Sequence, residues 1–210
     1  IEEAKRQGIV RIIIETSVSK NNKLSNKLRR AFNLRDAIVV NAAFDFDKSI
    51  DICGKAAAAL LSTYLQPGMT LGVTWGRSVN AVVDAIDENT FYDINVAQMV
   101  GCISMGNPTI DGFSTAQRLA RKMHGSYSSI NTPLFVEGKE VYSYLINEPM
   151  IHDALHKASK IDVCVNGVGA FDDRKNSIHQ SGYFESYNLD RYKEKGAVAS
   201  FEVILSFLLQ

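Results

Sequence analysis

Thr70-Leu71-Gly72-Val73-Thr74-Trp75-Gly76-Arg77-Ser78 begins as an apolar run and breaks into a glycine-flanked turn that carries an arginine and hydroxyls. Helical spacing follows at once, from Val79 to Ile86. That order gathers backbone N–H groups, the positive end of a helix dipole and a guanidinium around one small space. Such a space suits an oxyanion, above all a phosphate. An ordinary strand-to-helix turn, with glycines that only satisfy backbone geometry, would carry the same residues. Short glycine patterns are common, so the motif alone leaves both readings open.

Outward from this turn, strand-like and helix-like segments alternate. Val10 to Glu15 is dense in β-branched residues and reads as a strand. Leu24, Leu28, Ala31 and Phe32 share one face of an amphipathic helix. Ala37 to Val40 reads as a short, fully apolar strand, and Ile52 to Leu65 as an alanine-rich helix closed by Pro67-Gly68. Asn95 to Val100 is a further strand ending at Gly101. Ser114 is the expected N-cap of a helix whose Ala116, Leu119, Ala120 and Met123 share a face, with Gly125 as its stop. Leu134 to Val136 reads as a strand after Pro133, Pro149 as the start of a helix carrying Ile151, Leu155 and Ala158, and Ile161 to Val165 as another strand. This alternation predicts an α/β fold: a doubly wound, mostly parallel sheet covered on both faces.

Ligands of such folds collect at the carboxyl ends of strands. Three strand ends stand out: Thr74 to Ser78, Gln98 to Gly101, and Gly167 to Gly169. If the strands are neighbours, their loops line one crevice. Glycine allows close backbone approach, Arg77 supplies charge, and Gln98 can donate to and accept from sugar hydroxyls. Simple turn geometry competes for Gly101 and Gly167, and a solvated strand-end position competes for Gln98.

Other chemistry is less supported. His152 and His156 stand four apart on one helical face, a chelating spacing, but no third ligand is evident and solvated helix histidines explain them better. Asp172-Asp173 could pair as acid and base, yet adjacent loop carboxylates are more often solvated. No Gly-x-Ser-x-Gly elbow, nucleotide-loop lysine or full dinucleotide fingerprint occurs. The reading is therefore a binding site without a catalytic group, a cofactor or a metal.

Composition limits partners. The 210 residues are 46% hydrophobic, enough for one sizeable core, and 23 basic residues balance 23 acidic ones, so no global charge draws nucleic acid or an anionic membrane. Cys53, Cys102 and Cys164 are an odd set in apolar contexts, read as reduced core thiols in a cytoplasmic protein. No stretch has the apolar length of a membrane span and no signal-peptide pattern opens the chain. Position 1 is Ile, so the chain is expected to begin inside a longer product or after processing.

With these residues together, the chain resembles the sugar-binding (effector) domain of SorC/DeoR-like bacterial transcriptional regulators. Ala4 to Val10 looks like the segment joining that family's helix-turn-helix to its effector domain. Leu71 to Ser78 is close to the family's most distinctive motif. Gln98-Met99-Val100-Gly101-Cys102 is similar to its Gln-Leu-x-Gly-Gly strand end, with Cys102 in place of the second glycine. Asn131 to Val136, Ile161 to Gly169, Ser181 to Phe184 and Lys195 to Val198 follow in family order.

The resemblance implies a fold related to sugar-phosphate isomerases and CoA transferases, with an inserted dimerisation element. It implies residues 1–10 as a linker from a helix-turn-helix domain that is not in the chain, and residues 11–210 as the effector domain. The implied partners are a phosphorylated sugar, operator DNA reached through the N-terminal domain, and further copies in a homodimer or tetramer. The phosphate loop falls on Thr74, Gly76, Arg77 and Ser78, and further effector contacts fall on Gln98 and Gly101, beside Gly167 and Gly169 of the third strand end. Val100 stands where some members carry an imine-forming lysine, which argues against covalent capture. After Val198 the family's acidic motif and Gly-Gly-x-x-Lys contact are not found, so the C-terminal part is expected to be truncated or replaced. A sugar-phosphate isomerase-like enzyme is the alternative.

Overall fold

The computed structural model describes residues 19–41, 45–88, 93–103, 111–170, 190, 192 and 194–201. At its centre lies β1 (Thr70–Val73). It is flanked by β2 (Asn95–Gln98) and by β4 (Val163–Val165), with β3 (Tyr127–Ser128) beyond β2. All three pairings are parallel, and Leu71 stands opposite Val96 on one side and Val163 on the other. A two-stranded antiparallel ribbon, β5 (Val168–Ala170) with β6 (Ala199–Phe201), follows β4. The fold is thus the α/β, mostly parallel architecture that the alternation implies.

Six helices are described: α1 (Asn22–Ala31), α2 (Phe46–Tyr64), α3 (Arg77–Ala85), α4 (Gly112–Lys122), α5 (Lys139–Asn147) and α6 (Pro149–Ala158). Strand side chains alternate between faces. Leu71, Val73 and Val96 therefore meet one set of helices, packing with Leu61 and Leu65 near the end of α2, Val79, Val82 and Val83 of α3, and Leu119, Ala120 and Met123 of α4. Each buried Leu, Val or Met side chain among them contributes about 1.5–3 kcal/mol by leaving water. The packing of α6 on β2 buries Ala154 and Ala158 outside that cluster.

The order β3-β2-β1-β4 carries a functional consequence. The chain steps outward from β1 through β2 to β3, then returns to the other side of β1 for β4. The direction of winding reverses between β1 and β4, and crevices of open α/β sheets form at the carboxyl ends of such strands.

Several elements differ from the sequence expectation. The α2 helix begins at Phe46, six residues before the apolar pattern does, because Asp45 caps it by accepting from the Asp47 and Lys48 amides. The cap of α4 is Asp111, not Ser114, and accepts from the Phe113 amide. Ala37 to Val40 is not a core strand. It is half-buried, and the Val39 amide is satisfied by the Ser25 hydroxyl and Val40 by a single antiparallel bridge to Lys20. Leu134 to Val136 forms no strand either: Pro133 bridges Cys102 once, and without an N–H it cannot extend a ladder. The amphipathic α1 forms as expected, yet Leu24, Leu28 and Phe32 are exposed. The strand expected over Val10 to Glu15 lies outside the described residues, as does the chain beyond Phe201. No helix of the described residues is long and apolar enough to cross a membrane.

Candidate functional site

The β1–α3 turn is built around Gly76. Its backbone sits at φ 107° and ψ 166°, a region essentially confined to glycine. Gly76 is also the N-cap of α3, and no side chain caps that helix. The first-turn amides and the positive end of the dipole are thus offered at the strand edge, the arrangement that attracts an anion. Ser78 is exposed in that first turn. Arg77 lies over the Phe46 ring, 5.3 Å from its centroid, with Nη1 3.8 Å from Asp47 Oδ1. A dianion at Gly76 would compete with Asp47 for this guanidinium.

Thr74 is fully buried and ties β1 to β4 at the point where the winding reverses. Its amide donates to Val165 O (3.3 Å) and its hydroxyl to Asn166 Oδ1 (2.9 Å). That leaves Asn166 Nδ2 buried without a partner. Gly167 lies against the start of α3, since a Cβ there would sit 3.7 Å from Val79 Cγ2. Gly169 differs from the turn position expected of it. It belongs to β5, opposite Ser200.

At the end of β2, Gln98 is only 1% exposed, which overturns the picture of a solvated strand-end residue. Its Nε2 donates to Val100 O at 2.7 Å, and its Oε1 has no partner among the described residues. Gly101 lets two backbones touch: a Cβ there would lie 2.5 Å from Pro133 O. Beside them stands Asp111, whose Oδ2 caps α4 while its Oδ1 is buried and unpartnered. Trp75 Nε1 is a further buried donor without a partner, in a small cluster with Val100 and Ile103.

The two helix starts are wired together. Asn80 Nδ2 donates to Gly76 O (3.0 Å), and Asn80 Oδ1 accepts from Arg118 (2.9 Å), whose other arm pairs with Asp84. Thr115 Oγ1 lies 3.2 Å from Asn80 Oδ1 and 2.8 Å from Asp111 O. Of the expected residues, then, Thr74, Gly76, Arg77, Ser78, Gln98, Gly101 and Gly167 lie at or just beyond the carboxyl ends of the neighbouring strands β1, β2 and β4 at one edge of the sheet, and Gly169 departs into β5. Sequence reasoning passed over Trp75, Asn80, Asp111 and Asn166. The adjacency of Asn166 to Gly167, and of Asp111 to Gly112 ahead of a helix, was the available signal.

Remaining candidates stand apart. His152 and His156 are exposed on α6, where Asp153 pairs with Lys157 at 2.7 Å. Asp172 and Asp173 lie outside the described residues. The cysteines are free, and Cys53 and Cys164 are exposed rather than core residues. Cys102 is partly buried. Burial pushes its thiol up, the Gln98 amide works against that, and the Asp111 charge adds to it. A raised thiol holds little thiolate at neutral pH. Iodoacetamide at pH 7 is therefore expected to label Cys53 first and Cys102 slowly, with Cys102 catching up as pH rises above the ordinary thiol range. Peptide mass mapping over time reads this, and equal rates at pH 7 would contradict the described environment.

Residues 16–203 match the family model described as "Putative sugar-binding domain". The chain belongs to this sugar-binding domain family. It is similar to the transcriptional regulator LsrR of Klebsiella pneumoniae, 28% identical over 211 residues, covering 100% of this chain and 62% of that protein. In structure it is similar to the full-length sorbitol operon regulator SorC of Klebsiella pneumoniae, with a TM-score of 0.75 at 18% identity over 96% of this chain and 66% of that one. A DeoR family transcriptional regulator from Listeria monocytogenes gives a TM-score of 0.72 at 21% identity, over 86% and 70% of the two chains. The resemblance to SorC/DeoR-type regulators read from the motifs is thereby shown. The chain spans less than two thirds of the length of the LsrR relative.

Proposed function

We propose that this chain is the effector-binding domain of a bacterial transcriptional regulator. It binds a phosphorylated sugar at the β1–α3 turn, and binding controls operator attachment by a DNA-binding domain N-terminal to it, with residues 1–10 as the linker. The observation that carries this reading is the uncapped start of α3 at the edge where the winding reverses, ringed by Thr74, Gln98 and Gly167. The names of its relatives, transcriptional and sorbitol operon regulators, support the regulatory half. Assembly into a homodimer or tetramer and a cytoplasmic location belong to the same proposal, since operators are read by more than one DNA-binding domain.

Sensing rather than isomerisation is supported by the groups at the strand ends. Among the described residues they are amides, hydroxyls, the Arg77 guanidinium and the Asp111 carboxylate, and burial pushes the thiol of the neighbouring Cys102 up. Proton shuttling on a sugar needs an acid and a base within reach of one carbon.

Calorimetry with a panel of sugar phosphates and their unphosphorylated counterparts tests the proposal. A charge-assisted hydrogen bond contributes about 2 kcal/mol, so phosphorylated ligands should bind tens of times more tightly. Equal affinity for free sugars would remove the phosphate from the proposal.

A further inference from the structure

The starts of α3 and α4 lie side by side at the same sheet edge, joined through Asn80 and Thr115. They are not equivalent. The α4 start already holds a carboxylate, because Asp111 Oδ2 accepts from the Phe113 amide at 3.0 Å. The α3 start holds none, because its cap is Gly76. Next to Asp111, Gln98 is almost wholly buried, and a Cβ on Gly112 would lie 3.2 Å from Gln98 Nε2. Gln98 Nε2 is committed to Val100 O, so the amide cannot flip without setting two carbonyl oxygens against each other. Its Oε1 and Asp111 Oδ1 are thus two buried acceptors with no donor among the described residues. A buried acceptor without a donor is destabilising, and the site recovers that cost when a donor arrives.

We propose that Asp111 and Gln98 form the neutral end of the ligand site. They accept hydrogen bonds from hydroxyls at the end of the sugar remote from its phosphate, and the Asp111 carboxylate rejects ligands with a second anionic group there. The inference rests on the sugar-phosphate reading above and sharpens it to monophosphates with an uncharged polyhydroxyl end. Packed helices run about 8–10 Å apart, a spacing comparable to the length of a hexose phosphate. A hydroxyl can donate to either acceptor, whereas a carboxylate or second phosphate offers only more acceptors and more negative charge. Discrimination then comes from repulsion as much as from attraction.

Glucitol 6-phosphate and 6-phosphogluconate provide the test, since they differ only in a hydroxymethyl or a carboxylate at the far end. Titration calorimetry on this chain should show glucitol 6-phosphate binding at least about tenfold more tightly, the size expected of one like-charge contact in a partly buried site. Asp111→Asn keeps an oxygen on the Phe113 amide and removes the charge. It should narrow the preference to within about threefold, chiefly by admitting 6-phosphogluconate. Asp111→Ser, which also caps, should do the same, and circular dichroism checks that both variants keep their helices. If both ligands bind wild type equally, or the preference survives both variants, the proposal is overturned and the phosphate site stands. If free glucitol binds as well as its phosphate, the phosphate assignment fails instead. Binding by neither phosphorylated compound overturns both.

Discussion

Gly125→Ala is expected to destabilise the domain by at least about 3 kcal/mol, at the upper end of overpacking costs. An ideal Cβ at Gly125 would sit 1.8 Å from Ile94 O and 2.5 Å from Ile94 C, both backbone atoms with no rotamer to give way. The contact lies where α4 hands over to β3, and Ile94 leads directly into β2. Separating those backbones would strain the pairing of β2 with β3. For a chain of this size the melting temperature should fall by roughly 6–12 °C. The companion change is His124→Gly. The α4 helix ends in a Schellman arrangement, with Gly125 N donating to Ala120 O (3.1 Å) and His124 N to Arg121 O (3.3 Å). The left-handed residue in that arrangement is His124, at φ 54°. Glycine there should relieve about 1 kcal/mol of backbone strain and raise the melting temperature. Thermal melts of the two variants beside wild type should therefore move in opposite directions. A Gly125→Ala melt within a degree or two of wild type would mean that the backbones are not in contact.

That pair also marks where sequence was readable and where it was not. Gly125 was visible as the stop of α4, since helices end in glycine, but the need for glycine lies in Ile94, thirty-one positions earlier in the chain. Local patterns carried the centre of the fold. The apolar run Thr70–Val73 became the middle strand, and Ala116, Leu119, Ala120 and Met123 became the buried face of α4. Ends were less legible, because Asp45 and Asp111 cap helices before any apolar periodicity begins. Gln98 shows what more the pattern held. It has the parity of Val96, and strand alternation places it on the packed face opposite Val73, where it is buried. Asp111 and Asn166 could not be found in this way. Their place in the site depends on Gly112 reaching Gln98 and on Thr74 meeting Asn166 across ninety-two positions.

Gly76→Ala should abolish measurable sugar-phosphate binding and also lower stability by about 1–3 kcal/mol, the usual cost of a side chain in a glycine-only region. At φ 107° and ψ 166°, alanine can be accommodated only if the peptide rotates, and that rotation re-aims the first-turn amides of α3. It would also disturb Gly76 O, which accepts from both the amide and the side chain of Asn80 at 3.0 Å and so joins the turn to α4. Arg77→Ala separates binding from folding. The guanidinium lies at 3.8 Å from a largely exposed Asp47 carboxylate, and pairs of that kind contribute about 0–1 kcal/mol. Its loss should leave the melting curve nearly unchanged while weakening a phosphorylated ligand by a factor of tens, the equivalent of one charge-assisted hydrogen bond of about 2 kcal/mol. Affinity for the unphosphorylated sugar should not move. Calorimetry and thermal melting on both variants read the two quantities separately. An Arg77→Ala variant that binds the phosphate as tightly as wild type would show that the guanidinium stays on Phe46 and Asp47, leaving the α3 amides to hold the anion alone.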